Sequence, residues 1–333
     1  MKALRFGLGA PVYPVEDVMK AAGFAEESGF DGFWVAEYLT RRGDRGLSLE
    51  PLTSLAAVAR QTRRVHLGTY VVGIERRHPS MLAFIAASLD QLSGGRFILG
   101  LGAGALEMDR ALGIPHTQAT ARMGEYIEVL RRLWREEKPT YQGRYYSLNG
   151  GTLSVFPVEK SLPIWVAAQG PTGMEIAGTM ADGWVSNWLY TPEVFARALA
   201  EVRRRSETAG RDPSKIVGVF EAAVSIAETE AEAERYGIPG VKAKLLKIGG
   251  GYSYGYRQLM AMGYEGPPPE RPEQIPDQIV RGCSMIGTPN QIIERIEEYA
   301  QHGVDYFITT FMNPGGEVLF AEKVLPHFRS RRS

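Results

Sequence analysis

The stretch LPIWVAAQGPTGMEIAG, residues 162–178, runs as an apolar strand to Gly170-Pro171 and turns at once into a helix of small residues. Such a helix start leaves backbone N–H groups without intrahelical acceptors, at the positive end of the helix dipole, and so suits an anion such as phosphate. Gly170 would admit the ligand close to the backbone, which makes Gly170, Pro171, Thr172 and Gly173 a candidate anion cradle. An ordinary tight βα turn has the same pattern. A second stretch, GLGAGA at residues 100–105, follows another apolar strand and matches the G-x-G-x-x-A spacing of a dinucleotide fingerprint. A true fingerprint opens a continuous helix, whereas Gly113 and Pro115 interrupt this one. Gly102, Ala103 and Gly104 read instead as room for a flat ring against a strand end, or as glycines used for packing alone. The third candidate is the pair Glu37-Tyr38, behind the strand DGFWVA. A carboxyl whose pKa is set by burial, beside a phenol, can act as an acid and a hydrogen-bond donor. Equally, Glu37 can cap the strand end by pairing with Arg41 or Arg42.

These residues need a scaffold that brings several strand ends together. Short apolar runs alternate with amphipathic helical segments along nearly the whole chain: LRFGLGA, DGFWVAE, VHLGTYVVG, RFILGLGAG, LPIWVAAQG, GWVSNW, KIVGVFEAAVSIA and VDYFITTF read as eight strands. TYQGRYYSLNGGTLSVF reads as a hairpin beside them. Eight βα units predict an α/β fold, the (β/α)8 TIM barrel, as a single domain over residues 1–333. From about 236 to 282 the alternation fails in Gly-, Pro- and Tyr-rich sequence, which predicts an irregular insertion or lid before the last unit. In this architecture chemistry gathers where strands end, which groups Glu37-Tyr38, Tyr70-Val71, Gly102-Ala103-Gly104, Gln169-Gly170-Pro171 and Asn187-Trp188.

Composition narrows the function. The 333 residues carry 38 basic and 38 acidic side chains, a formal net charge of zero, so neither nucleic acid nor an anionic membrane surface is an expected partner. A small-molecule substrate fits better. Cys283 is the only cysteine, which excludes an intrachain disulfide; with no apolar leader in MKALRFGLGA, a cytoplasmic location is expected. His66, His116, His302 and His327 are scattered without metal-ligand spacing, so no metal is expected. His78, before Pro79 at a helix start, reads as a rim residue. Trp34 and Trp165, inside strands, read as core.

The motifs in this order resemble those of the bacterial-luciferase-like flavin and deazaflavin oxidoreductases. GFDGFWVAEY, LGTYVVGIERRHP, LDQLSGGRFILGLGAG, LPIWVAAQGPTGMEIAGTMADGW and MIGTPNQIIERIEEYAQHGVDYF carry the resemblance. AAQGPTGMEIAGTMADGWVSNW is most similar to the branch that uses the 8-hydroxy-5-deazaflavin coenzyme F420, which includes methylenetetrahydromethanopterin reductase. The resemblance implies an oxidoreductase that transfers a hydride between the deazaflavin C5 and a small organic substrate, with phosphate contacts at Gly170, Pro171 and Thr172. It implies a non-prolyl cis peptide at Tyr70-Val71 behind the ring and a homodimer; Trp188, by its place at a strand end, is the aromatic expected near the ring. Alternatives on the same scaffold are an FMN-dependent monooxygenase and a flavin-binding protein without turnover. The chain departs from many deazaflavin relatives where they carry an Asp-His pair and it has Glu37-Tyr38. It also has Gly9 and Ala105 where some relatives have acidic residues. Arg76 and Arg77 read as solvated, or as a lure for the coenzyme's anionic tail.

Overall fold

The computed structural model describes residues 3–10, 15–40, 48–186, 190–249 and 253–329. Among them eight parallel strands close into a barrel: β1 (Arg5–Gly9), β2 (Gly32–Val35), β3 (His66–Thr69), β4 (Phe97–Gly102), β5 (Ile164–Ala167), β6 (Gly183–Ser186), β7 (Val217–Ile226) and β8 (Tyr306–Phe311), with β7 pairing to both β6 and β8 and β8 returning to β1. Helices α1 (Val15–Ser28), α2 (Pro51–Gln61), α3 (Pro79–Ser93), α4 (Leu106–Ala111), α5 (Ala119–Arg135), α6 (Pro171–Met180) and α7 (Pro192–Thr208) follow the first six strands. The sequence pattern anticipates each strand, because barrel strands are buried on both faces and read as continuous apolar runs. Thr140–Gln142 and Ser147–Asn149 form the antiparallel hairpin.

Aromatic rings fill the barrel interior. Trp34 and Trp165 stack with centroids 4.7 Å apart, and Tyr306 packs edge-on against both. Glycines on neighbouring strands make the room: a Cβ on Gly68 would lie 2.1 Å from the Trp34 ring, and one on Gly183 would lie 2.6 Å from that of Trp165. Trp34 Nε1 donates to Tyr306 Oη at 3.0 Å, deep in the barrel. Tyr306→Phe would leave that N–H buried without this acceptor, at an expected cost of about 1–3 kcal/mol. Urea unfolding checks this, and an unchanged midpoint would mean that the indole finds another partner.

Residues 236–282 are more regular than their composition predicts. They carry the end of α8 (Glu230–Gly249), α9 (Ser253–Ala261) and most of α10 (Asp277–Cys283). Val241, Leu245, Leu259, Ile275, Ile279 and Val280 bury a second apolar cluster against Ala223 of β7. Gly237 and Pro239 read as helix breakers, yet both lie inside α8. A Cβ on Gly237 would come within 2.8 Å of Ile286 and of Ser225, so the glycine lets the helix close on the barrel. After α10 a short strand, Met285–Gly287, pairs with β7, and α11 (Pro289–Gln301) leads into β8.

Candidate functional site

Strand β3 is broken at the barrel mouth. Thr69 ends it, the Tyr70-Val71 peptide is cis, and Val72-Gly73 resumes pairing with β4 one residue out of step, since Gly68 pairs with Ile98 but Val72 with Leu101. Across the break Thr69 Oγ1 donates to the Gly100 carbonyl and accepts from the Gly100 N–H, both at 2.9 Å, so a side chain replaces the missing ladder. Two glycines of the GLGAGA run serve this bulge. A Cβ on Gly100 would strike the Thr69 carbonyl at 1.9 Å, and one on Gly102 would meet Val71 Cγ2 at 2.6 Å. Their missing side chains are therefore filled by the protein itself. Ala103 is half-buried, and Gly104, exposed at φ +87°, turns the chain toward α4.

The bulge carries Tyr70 across the mouth. A Cβ on Gly9 would lie 3.0 Å from Tyr70 Oη and 2.8 Å from Thr310 Cγ2, so in this chain the phenol and the threonine methyl occupy the space beside the first strand end. Burial, with Tyr38 and Glu221 nearby, holds the Tyr70 phenol well above its ordinary pKa, which keeps it a proton-bearing donor. Lys244, from α8, donates to Thr310 Oγ1 at 3.3 Å. No local pattern in the sequence marks Glu221, Thr310 or Lys244: Glu221 and Thr310 sit inside apolar strand patterns, and Lys244 sits in the segment expected to be irregular.

Glu37 and Tyr38 part company, as neighbours on extended backbone must. Tyr38 is half-buried and close enough to Tyr70 to influence it. Glu37 is buried and turns to the turn after β3: Arg76 Nη1 reaches its Oε2 at 2.6 Å, Arg77 Nη1 faces its Oε1 at 2.6 Å, and the Gly73 N–H donates to Oε2 at 2.8 Å. Both oxygens of the expected acid thus face guanidinium groups. Arg76 and Arg77 are correspondingly not the solvated pair that the sequence suggests. Arg76, with only 4% of its side chain exposed, also donates through Nε to Asp109 Oδ1 at 2.8 Å, and Arg77 reaches Glu50 at 2.7 Å. Asp109 is wholly buried on α4 and binds His116 Nδ1 through Oδ2 at 2.9 Å. Beside them Glu75 is paired with Arg122 at 3.0 Å; burial raises its carboxyl pKa, against the pull of Arg122 and His116. Asp109 gave no signal of its own, because the seven residues to His116 fold back at Gly113 rather than continuing a helix.

On the other side of the mouth, β5 leads through Ala168 and the half-buried Gln169 to Gly170. Trp184 Nε1 donates to the Ala168 carbonyl at 2.6 Å and anchors this turn. Gly170 is the N-cap of α6, with no side chain capping the helix, Pro171 in its first turn and open space where a Cβ would project. Pro171 and Thr172 are exposed, and Gly173 is buried, since a Cβ there would lie 2.7 Å from that of Ala168. The N–H groups of Thr172 and Gly173 are thus available to an anion, as the sequence expects of a phosphate cradle. Trp188 lies outside the described residues. His78 is exposed and caps α3 by accepting from the Ser80 N–H at 3.3 Å, a rim position. A cleft of about 1110 Å³ beside α7, α11 and the start of β8 opens at the N-terminal ends of the strands, at the other end of the barrel.

Known proteins are similar to this chain in sequence and in fold. The family described as luciferase-like monooxygenase matches residues 4–306. A phthiodiolone/phenolphthiodiolone dimycocerosates ketoreductase of Mycobacterium bovis is 26% identical, over 100% of this chain and 99% of its own length. A 5,10-methylenetetrahydromethanopterin reductase of Methanolobus tindarius is 28% identical, over 92% of this chain and 93% of its own. Among solved structures, the coenzyme F420-dependent tetrahydromethanopterin reductase from Methanopyrus kandleri superposes with a TM-score of 0.82 at 22% identity, covering 98% of this chain and 99% of that one. With a closed parallel barrel and a family match over residues 4–306, the chain belongs to the luciferase-like monooxygenase family.

Proposed function

We propose that this chain is an oxidoreductase that uses coenzyme F420 and moves a hydride between the deazaflavin and a carbonyl or hydroxyl carbon of a small organic substrate. The observation that carries the reading is the start of α6, uncapped by any side chain and open at Gly170. A phosphate-bearing coenzyme would be held there by the Thr172 and Gly173 N–H groups, with its ring over the Tyr70-Val71 bulge and the Gly102-Ala103-Gly104 end of β4. When bound, the coenzyme supplies a hydride donor or acceptor carbon. The protein supplies the rest: Tyr70 offers a hydrogen bond to an oxygen at the mouth, Tyr38 lies beside it, and α8 brings Lys244 to Thr310 there. Glu37 acts by positioning, since its charge holds Arg76 and Arg77 and, through them, the turn behind the bulge. The ketoreductase and reductase activities named for the relatives support this choice over oxygen chemistry.

The test is a fluorescence titration of the purified protein with oxidised F420 and, separately, with FMN, followed by a screen of secondary alcohols and ketones for hydride exchange. Saturable binding of F420, tighter than that of FMN, with turnover of at least one such pair, is expected. Tight FMN binding with rapid reoxidation of the reduced pigment in air would instead identify a monooxygenase.

A further inference from the structure

We propose that His116, held by Asp109, exchanges the proton with the substrate oxygen while the hydride moves; this rests on the hydride-transfer reading above. Hydride transfer to or from a carbon bearing oxygen is incomplete without a proton. In the oxidising direction the C–H bond breaks and its electron pair leaves as hydride to oxidised F420, the O–H bond breaks and its proton goes to a base, and a C=O bond forms. Reduction runs the same steps backward, with reduced F420 as hydride donor and the base now an acid. The residue that does this must have a free proton site at the barrel mouth and a partner that fixes its orientation.

His116 has both. Its Nδ1 is 2.9 Å from Asp109 Oδ2, and Asp109 is itself buried and anchored by Arg76 Nε at 2.8 Å on its other oxygen. A fixed carboxylate at Nδ1 places the ring proton there and leaves the Nε2 lone pair to accept another, as in other histidine bases oriented by an aspartate. Nε2 has no hydrogen-bond partner among the described residues. The ring stands at the end of β4: its Cε1, the carbon between Nδ1 and Nε2, lies 3.7 Å from where a Gly104 Cβ would be. A Cβ at Gly104 would also crowd Asp109 Oδ2 to 2.7 Å, so the glycine at φ +87° is what allows the aspartate–histidine pair to sit against the strand end. Among the described residues, the charged groups around the ring are Asp109 on α4, Glu75 and Arg76 in the turn after the bulge, and Arg122 on α5, which pairs with Glu75. Asp109 is a positioning residue in this scheme and touches no reactant.

Two measurements on the full-length protein decide the proposal. In the first, His116→Gln is expected to lower kcat by roughly 100- to 1000-fold on the alcohol or ketone found by the screen, while the Kd for F420 stays within about twofold. His116→Ala, at a half-buried loop position, serves as the second variant. The other needs no turnover: 15N ring spectra of the histidine-labelled protein, with His116 assigned by its loss in His116→Gln, should show the neutral ring protonated at Nδ1, and Asp109→Asn should abolish that preference. A His116→Gln enzyme with kcat within tenfold of the parent, or a His116 ring protonated at Nε2 in the parent protein, would overturn the proposal. Failure of the parent to bind F420 at all would instead remove the functional reading beneath it and leave the ring spectrum to report on the pair.

Discussion

Truncating Glu37 to alanine is expected to lower the stability of the folded chain by about 3–5 kcal/mol, because it leaves two guanidinium groups facing one another with their shared carboxylate gone. The carboxylate is almost wholly buried, and its two oxygens face Arg76 and Arg77 at 2.6 Å each, with the Gly73 N–H added at 2.8 Å. Arg76 retains Asp109, but Arg77 keeps only the more exposed Glu50. The cost should exceed that of any single surface pair in the molecule, such as Arg204 with Glu201, where solvent screens the charges. The double variant Glu37→Ala, Arg76→Met should lose less than the sum of the two single changes, since the residues act as one unit. Chemical denaturation of the four proteins measures both quantities. A Glu37→Ala protein within about 0.5 kcal/mol of the parent would show that the network contributes little, and would reopen the carboxyl as a group free to take part in chemistry.

Gly170→Glu is expected to raise the Kd for F420 by roughly 30- to 100-fold, the equivalent of losing one or two charge-assisted hydrogen bonds, with a melting temperature no lower than the parent's. The two halves of this expectation have separate origins. Gly170 has φ −92° and ψ 166°, ordinary extended backbone, and nothing stands within 4 Å of its missing Cβ, so the folded chain accommodates a side chain there. A carboxylate in that space would occupy the helix N-terminus itself, taking the Thr172 and Gly173 N–H groups and repelling a phosphate. Gly170→Ala, which adds one methyl and no charge, should have a much smaller effect. Parallel binding and melting curves settle the matter: equal affinity in Gly170→Glu and the parent would place the coenzyme's anion elsewhere.

The unequal legibility of these features has a physical cause. The barrel was readable because each of its strands is buried on both faces and leaves an unbroken apolar run, and because Gly170-Pro171 marks a helix start by local chemistry alone. Local rules also cover His78 as an α3 cap and the Thr140–Asn149 hairpin. The helix through residues 236–249 is hidden because Gly237 obeys a tertiary need, close approach to Ser225 and Ile286, that outweighs its local preference, and α8 runs on through Pro239. The family resemblance, rather than strand periodicity, pointed to the cis Tyr70-Val71 peptide.

The α/β barrel, the places where its strands end and the open helix start at Gly170 are legible in the residues alone, since each depends on side chains within a few positions of one another. Which charges meet was decided only by the tertiary structure. Glu37 finds Arg76 and Arg77, and Arg76 finds Asp109, because barrel closure sets β2, the broken end of β3 and α4 side by side, while Arg41 and Arg42 lie outside the described residues. A buried charge must take whatever opposite charge the fold brings within reach, and that reach is measured in ångströms through space, not in residues along the chain.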